Sequence, residues 1–260
     1  MSNRWTPRLH PQPTARLRLF LFPYAGGSAS LYRSWTGAFP PAVDVVPVQL
    51  PGREERLGEP AFSRLEELAD AAAEALLPLA DRPVVLFGWS MGALIAAAVA
   101  RRWEIAGRPV ALLIPAAHPA PHLPRLSPPL HALPSEAFWQ AVARIGGVPD
   151  EALANLELRD IMEPTLRADF AVIETRPPTQ PRALSCPIAT ITADRDRAVT
   201  NDGVLAWAEA TKGTTSVTTV RGDHFVIRSD AVAVITAVRD LVSARLEPPS
   251  PLYSASRTLT

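Results

Sequence analysis

Cysteine is nearly absent. Cys186 is the sole thiol among 260 residues, so no internal disulfide can form. That fits a reducing compartment. Its place before Pro187, at the start of an apolar run, reads as a buried structural thiol rather than a reactive one. Neither sign of charge is in excess: Lys+Arg and Asp+Glu each number 26. This removes the electrostatic footprint of a nucleic-acid binder or of a protein held on an anionic membrane. Lysine is almost missing, Lys212 being the one lysine among 26 basic residues. Long hydrophobic runs are missing too. The clean apolar stretch near the middle, Ala93 to Ala100, stops at Arg101 and Arg102, far too short to span a bilayer. Arg16 stands just before the most apolar N-terminal part and Arg18 inside it, and no small-residue cleavage pattern follows, so the cytoplasm is the expected location. There is no internal repeat. No Cys/His cluster suggests a metal, and neither a metal nor a diffusible cofactor is expected.

What is present is a large apolar fraction, 47%, enough for a substantial core. Residues 1–16 are polar and proline-bearing and are expected to be loose, as is the tail 248–260. Between them, one α/β domain over 17–247 is expected. Short apolar runs predict strands at Leu17 to Phe22, Val43 to Leu50, Pro83 to Phe87, Val110 to Ile114, Pro187 to Thr192 and Ser216 to Val220. Pro47 points to an edge position or a bulge. Ser63-Arg64-Leu65-Glu66 reads as a capping box opening a helix through Leu79. An Ala-rich helix follows from Met91 to about Ala106, with Gly107 to end it. Two more helices are expected late in the chain: about Asp202 to Thr211, and one capped by Ser229 or Asp230 and running to about Leu246. Strands apolar throughout, alternating with helices, argue for a parallel sheet covered on both faces. The alternation breaks over about 118–181. That stretch is proline-rich, with helices expected from Ser135, over Asp150 to Leu156, and over Pro164 to Glu174, and it reads as a helical insertion.

Gly88-Trp89-Ser90-Met91-Gly92 carries the strongest chemical signal. A strand candidate precedes it and a helix candidate follows, the setting in which a sharp turn lifts a serine hydroxyl out of a sheet. A serine needs a base. In this architecture the chain order is serine, acid, histidine. Of His10, His118, His122, His131 and His224, only His224 follows the late strands, in a Gly222-Asp223-His224-Phe225 loop. The acid belongs on the loop after Thr192, where Asp194 and Asp196 compete, the later one slightly favoured by position. Asp223 reads as a solvated loop charge. Two backbone donors should meet a developing oxyanion. One is the Met91 amide, directly after the serine, and the other comes from the glycine-bearing loop 22–28.

Taken together, Phe22-Pro23-Tyr24-Ala25-Gly26-Gly27-Ser28, Leu50-Pro51-Gly52-Arg53 with Arg56, the serine turn, Pro164-Thr165-Leu166-Arg167-Ala168-Asp169-Phe170 and Gly222-Asp223-His224-Phe225 resemble, in kind and order, the type II thioesterases, the stand-alone editing enzymes of polyketide and nonribosomal peptide synthases. The resemblance spans roughly residues 17–245. It implies an α/β-hydrolase fold with the insertion as a lid, and hydrolysis of acyl thioesters on the phosphopantetheine arm of acyl or peptidyl carrier proteins. It places the acid at Asp196 and the second oxyanion donor at Ala25. The chain departs from the family pattern at Trp89 (usually His), Ala193 (usually Gly), Arg197 (usually Pro) and Arg176 (often aromatic). Arg53, Arg56 and Arg167 are candidates for docking an acidic carrier, each read first as a solvated surface residue. Arg167 and Asp169 are candidates for a lid ion pair. Phe138, Trp139, Ile145 and Phe170 either line an acyl pocket or pack the lid, with packing favoured for most. A monomer is expected. An acyltransferase, a general esterase and an inactive binding module are the competing readings.

Overall fold

The computed structural model describes residues 3–7, 12–125, 128–148, 150–176 and 183–246. His10 and the tail 248–260 lie outside them. Six strands form one parallel sheet: β1 (Leu17–Phe22), β2 (Val43–Pro47), β3 (Val84–Trp89), β4 (Leu112–Ala116), β5 (Ile188–Ala193) and β6 (Thr215–Val220), in the order β2-β1-β3-β4-β5-β6. Strands β1 and β3 set apolar side chains on both faces because both faces are covered. In β1, Phe20 and Phe22 join one core with helices α1 (Leu65–Leu76) and α2 (Met91–Ile105). Leu17, Leu19 and Leu21 join the other with α8 (Ala231–Ser243). In β3, Val84 and Leu86 divide from Val85 and Phe87 in the same way. The period-2 alternation is intact, but both halves of it are apolar. Pro47 sits on edge strand β2, as expected, where its missing N–H breaks no ladder. The one charge inside β1, Arg18, is buried with its cross-strand neighbour Asp44, Nε to Oδ2 2.9 Å.

Three expectations need correction. No capping box forms: Arg64 occupies the N-cap of α1 without a side-chain bond, and Glu66 is drawn to Arg102 of α2 at 2.7 Å instead. The insertion folds as α3 (Ser135–Ile145), α4 (Asp150–Ala154) and α5 (Leu156–Glu174), so Pro164 lies inside a helix rather than opening one. An interior proline costs about 3 kcal/mol. The burial of Leu166, Ala171 and Val172 beyond it, and the ties of Glu163 to Trp139 and Arg167 just before it, offset that cost. Residues 3–7 are not loose: Trp5 O accepts from Gln49 N–H at 2.8 Å and its ring lies under the Arg56 guanidinium.

The remaining α-helices are α6 (Asn201–Leu205), continued by a tight turn to Ala210, and α7 (Val226–Ser229). Of the two expected caps for α8, Asp230 is used, accepting from Ala233 N–H at 3.2 Å. Gly107 ends α2 as expected. No described helix is long and apolar enough to cross a membrane. The order of strands reverses between β1 and β3, so the loops leaving these two strands diverge and leave a crevice at their C-terminal ends.

Candidate active site

The serine turn and the 22–28 loop flank that crevice. Ser90 takes φ 53°, ψ −116°, a conformation that side chains rarely adopt and that surrounding structure must hold. Its N–H is anchored on Ala116 O of β4 at 2.8 Å. The side chain stands at the mouth of α2, whose first N–H groups have no intrahelical acceptor. Neither the Met91 nor the Ala25 amide donates to a protein group among the described residues.

His224 arrives from the loop after β6. Its Nε2 lies 3.2 Å from Ser90 Oγ and its Nδ1 2.7 Å from Asp196 Oδ2. The Asp196 carboxylate is fully enclosed, and its second oxygen accepts from Ala198 N–H at 2.8 Å. Asp194 has a different task. Its N–H continues the ladder to Val220 O at 3.0 Å, and its Oδ1 accepts from Gly222 N–H at 2.7 Å, fastening the histidine loop. Asp223 is exposed and accepts from Phe225 N–H at 2.9 Å, a local turn bond.

Trp89, the departure beside the serine, acquires a role. Its ring is fully buried in the α8-side core, and Nε1–H donates to His224 O at 2.9 Å. The residue before the serine thus pins the main chain of the histidine. Nothing in the local sequence signals a bond across 135 positions. Trp89→Phe keeps an aromatic ring but strands a carbonyl at a cost of about 1–3 kcal/mol. The expected result is a several-fold lower kcat with an unaltered KM, alongside a lower unfolding midpoint in urea.

An apolar cavity of about 210 Å³ opens over Ser90 and His224. Helix α5 turns one face to it, Met162, Leu166, Phe170 and Ile173, and the end of α3 supplies Val142, Ile145 and the 146–148 loop. Tyr24 and Phe225 form an edge-to-face pair on the opposite wall, centroids 5.8 Å apart. Arg228 ties that wall to Gly147 O. Of the four lid residues named from sequence, Phe138 and Trp139 pack α3 against α5, whereas Ile145 and Phe170 line the cavity.

The arginine expectations fail. Arg53 and Arg56 are buried, not solvated. Arg56 is spent on Glu59 at 2.6 Å and on Gln49 O at 2.9 Å. Arg167 does not meet Asp169, since residues two apart on a helix face opposite ways. It pairs with Glu163 at 2.7 Å and lies over the Phe138 ring, while Asp169 takes Arg53.

Burial pushes the Cys186 thiol up to about 11, as suits a structural residue. His118, expected in the insertion, lies directly after β4 and is buried. Burial holds its imidazole down to about 4, opposed by a 2.6 Å contact of Nδ1 with Pro119 O and aided by the nearby Arg176 and His224. Between about pH 6.5 and pH 4 the unfolded chain takes up this proton and the folded chain does not. Folding stability therefore falls as pH drops through that window, by up to roughly 3 kcal/mol. Urea unfolding at pH 7 and pH 4.5 checks it: His118→Gln is expected to lose clearly less stability between the two than the wild type.

The thioesterase domain model matches residues 17–242. The gramicidin S biosynthesis protein GrsT of Aneurinibacillus migulanus is 37% identical over 227 residues, 86% of this chain and 88% of its own. Among solved structures, the type II thioesterase BorB from the borrelidin biosynthetic cluster superposes with a TM-score of 0.84 at 33% identity, covering 95% of this chain and 99% of BorB. RedJ, a thioesterase of the prodiginine pathway in Streptomyces coelicolor, gives 0.82 at 34% identity over 90% of this chain and 94% of its own. The parallel sheet, the turn at Ser90 and these likenesses agree: the chain has an α/β-hydrolase architecture and belongs to the thioesterase family.

Proposed function

We propose that this chain is an editing thioesterase, which clears acyl groups from the phosphopantetheine arm of acyl or peptidyl carrier proteins in a polyketide or nonribosomal peptide synthase. The observation that carries the reading is a Ser90–His224–Asp196 relay at the floor of an apolar cavity roofed by α3 and α5. The largely apolar walls suit an acyl chain, and the charged side chain on them, Arg228, is tied to Gly147 O. The relatives named for gramicidin S, borrelidin and prodiginine biosynthesis support the carrier-bound substrate class.

In this reading His224 Nε2 takes the Ser90 proton as Oγ attacks the thioester carbonyl. Asp196 holds Nδ1–H and stabilises the imidazolium. The Ala25 and Met91 amides receive the oxyanion. The C–S bond breaks, His224 protonates the departing thiolate, and the acyl group stays on Ser90. Water, deprotonated by the same imidazole, attacks the acyl carbonyl; the Oγ–acyl bond breaks, His224 returns the proton to Ser90 Oγ, and the free acid leaves. The protein works as a monomer in the cytoplasm, without metal or cofactor, and neither nucleic acid nor membrane is its partner.

The test is a single-turnover reaction with an acyl-loaded carrier protein, followed by mass spectrometry. The expected products are the free acid and the free phosphopantetheine thiol, with a fluorophosphonate probe adding to Ser90. An acyl group passed to another thiol, hydroxyl or amine makes the protein an acyltransferase. Faster turnover of a simple oxygen ester of the same acid makes it a general esterase. Either result overturns the proposal.

A further inference from the structure

The loop that carries Ala25 does little to hold itself. Its internal bond is Gly27 N–H to Tyr24 O at 2.8 Å, and beyond Tyr24 and Ala25 the two adjacent glycines bring no side chain to pack. That bond nevertheless has a directional consequence. Tyr24 C=O and Ala25 N–H belong to one trans peptide, so a carbonyl turned into the loop sends the amide outward. Whatever fixes the turn therefore aims the Ala25 amide.

Both free sides of the turn are gripped from elsewhere. Gly26 N–H donates to Asp169 Oδ2 at 2.7 Å, and Gly27 O accepts from Arg53 Nη1 at 3.1 Å. Asp169 and Arg53 are themselves joined by two parallel 2.8 Å bonds, Nη1 to Oδ2 and Nη2 to Oδ1. Arg53 is set by its own loop, Nε to Pro51 O at 3.1 Å and Gln49 Nε2 to Arg53 O at 3.0 Å. One turn before Asp169, Thr165 Oγ1 donates to Gly52 O at 2.7 Å, so α5 is seated on this loop at two points. A buried ion pair is a weak source of net stability, because desolvation cancels much of the attraction. A bidentate pair is, however, a strong source of fixed geometry.

We propose that Asp169 and Arg53 are positioning residues that aim the Ala25 amide, and that the oxyanion hole is complete only while α5 covers the site. The inference rests on Ala25 being an oxyanion donor. Asp169 rides on the helix whose Met162, Leu166, Phe170 and Ile173 line the cavity. Lifting α5 withdraws the acceptor from Gly26 in the same movement that uncovers the cavity. An acyl group over which α5 cannot seat would then bind without being turned over, which makes the fit of the roof a condition for chemistry.

Two double variants separate geometry from stability. Asp169→Asn with Arg53→Met removes both charges but leaves an amide oxygen for Gly26 N–H. Asp169→Leu with Arg53→Met removes the acceptor as well. Removing an oxyanion donor outright costs about 10²–10³ in kcat. The leucine pair is expected to lower kcat about 100-fold and the asparagine pair about 10-fold less, with KM near wild type in both. Equal kcat in the two, or recovery of kcat together with thermal stability in the leucine pair, overturns the proposal. Should the leucine pair not fold, Asp169→Glu keeps the charge for Arg53 but displaces the acceptor by one methylene. Its kcat must then fall at unchanged KM, and an unchanged kcat overturns the idea equally. The rate of fluorophosphonate addition to Ser90 is read in parallel and must slow in the same order. That probe needs neither carrier nor thioester, so it isolates this inference. Failure of the functional reading would appear instead in the wild type, as no turnover of acyl-carrier protein.

Discussion

Asp196→Asn is expected to lower kcat by about 10³–10⁴-fold while leaving KM and the urea midpoint close to wild type. The second oxygen of the carboxylate decides this outcome. Oδ1 accepts from Ala198 N–H at 2.8 Å, and Oδ2 accepts from His224 Nδ1 at 2.7 Å. An asparagine amide must keep its oxygen toward Ala198, since turning the NH₂ there would set two donors face to face. Its NH₂ then points at Nδ1 and selects the imidazole tautomer with the proton on Nε2. That nitrogen sits 3.2 Å from Ser90 Oγ and, so protonated, cannot accept the hydroxyl proton. Geometry survives and the base is lost. Asp194→Asn makes the matched control. Its oxygen still accepts from Gly222 N–H, so kcat is expected to change by less than about threefold. Steady-state kinetics on one acyl-carrier substrate compares the two directly. A large loss for Asp194→Asn with a small one for Asp196→Asn would reverse the assignment.

That assignment marks the limit of what the sequence alone could carry. The sheet was legible because its strands are short apolar runs stopped by Gly and Pro, and the elbow because one strand and one helix meet at a glycine-framed serine. His224 followed from chain order. The two aspartates differ only in how the loop after β5 curls. Asp194 still belongs to the ladder with Val220, whereas Asp196 sits past the turn where the carboxylate can reach the ring. No local pattern encodes that. The same holds for Arg53 and Asp169, 116 positions apart, and for Trp89 and the His224 carbonyl. Each pairing is settled by which elements pack together. A local rule starts a helix at Pro164, and tertiary contacts on both sides of the proline override it, so α5 begins at Leu156. The Ser63 box met the same fate in reverse. Its Glu66 had a better partner in Arg102, and a side chain has one carboxylate to give. What travels badly from sequence to structure here is the partner choice of polar side chains, not the placement of apolar ones.

Gly92→Ala is expected to cost about 4 kcal/mol or more in folding free energy and at least about 100-fold in kcat. A Cβ on Gly92 would stand 2.2 Å from Phe22 O, 2.7 Å from Phe22 C and 2.9 Å from Pro23 O. All three are main-chain atoms, two on the last residue of β1 and one on the residue after it, so no rotamer change relieves them. Phe22 O is also held by the buried Tyr32 hydroxyl at 2.7 Å, which resists its retreat. The first turn of α2 and the end of β1 must therefore part. These are the two segments that carry Met91 and, three residues past Phe22, Ala25. The strain thus falls on the separation of the two proposed oxyanion donors, and a loss of kcat beyond the loss of folded protein is the signature to look for. Gly88→Ala acts on the same turn from the other side, its Cβ meeting Gly92 O at 2.0 Å. Gly37→Ala, exposed and with no neighbouring atom within 4 Å, should stay within about 0.5 kcal/mol of wild type. Urea unfolding together with kcat per folded molecule distinguishes the three. Wild-type kcat in folded Gly92→Ala would mean that the two segments need not meet so closely. The glycines around Ser90 would then serve only to let the chain turn, and not, as the packing indicates, to let a helix end rest on a strand end.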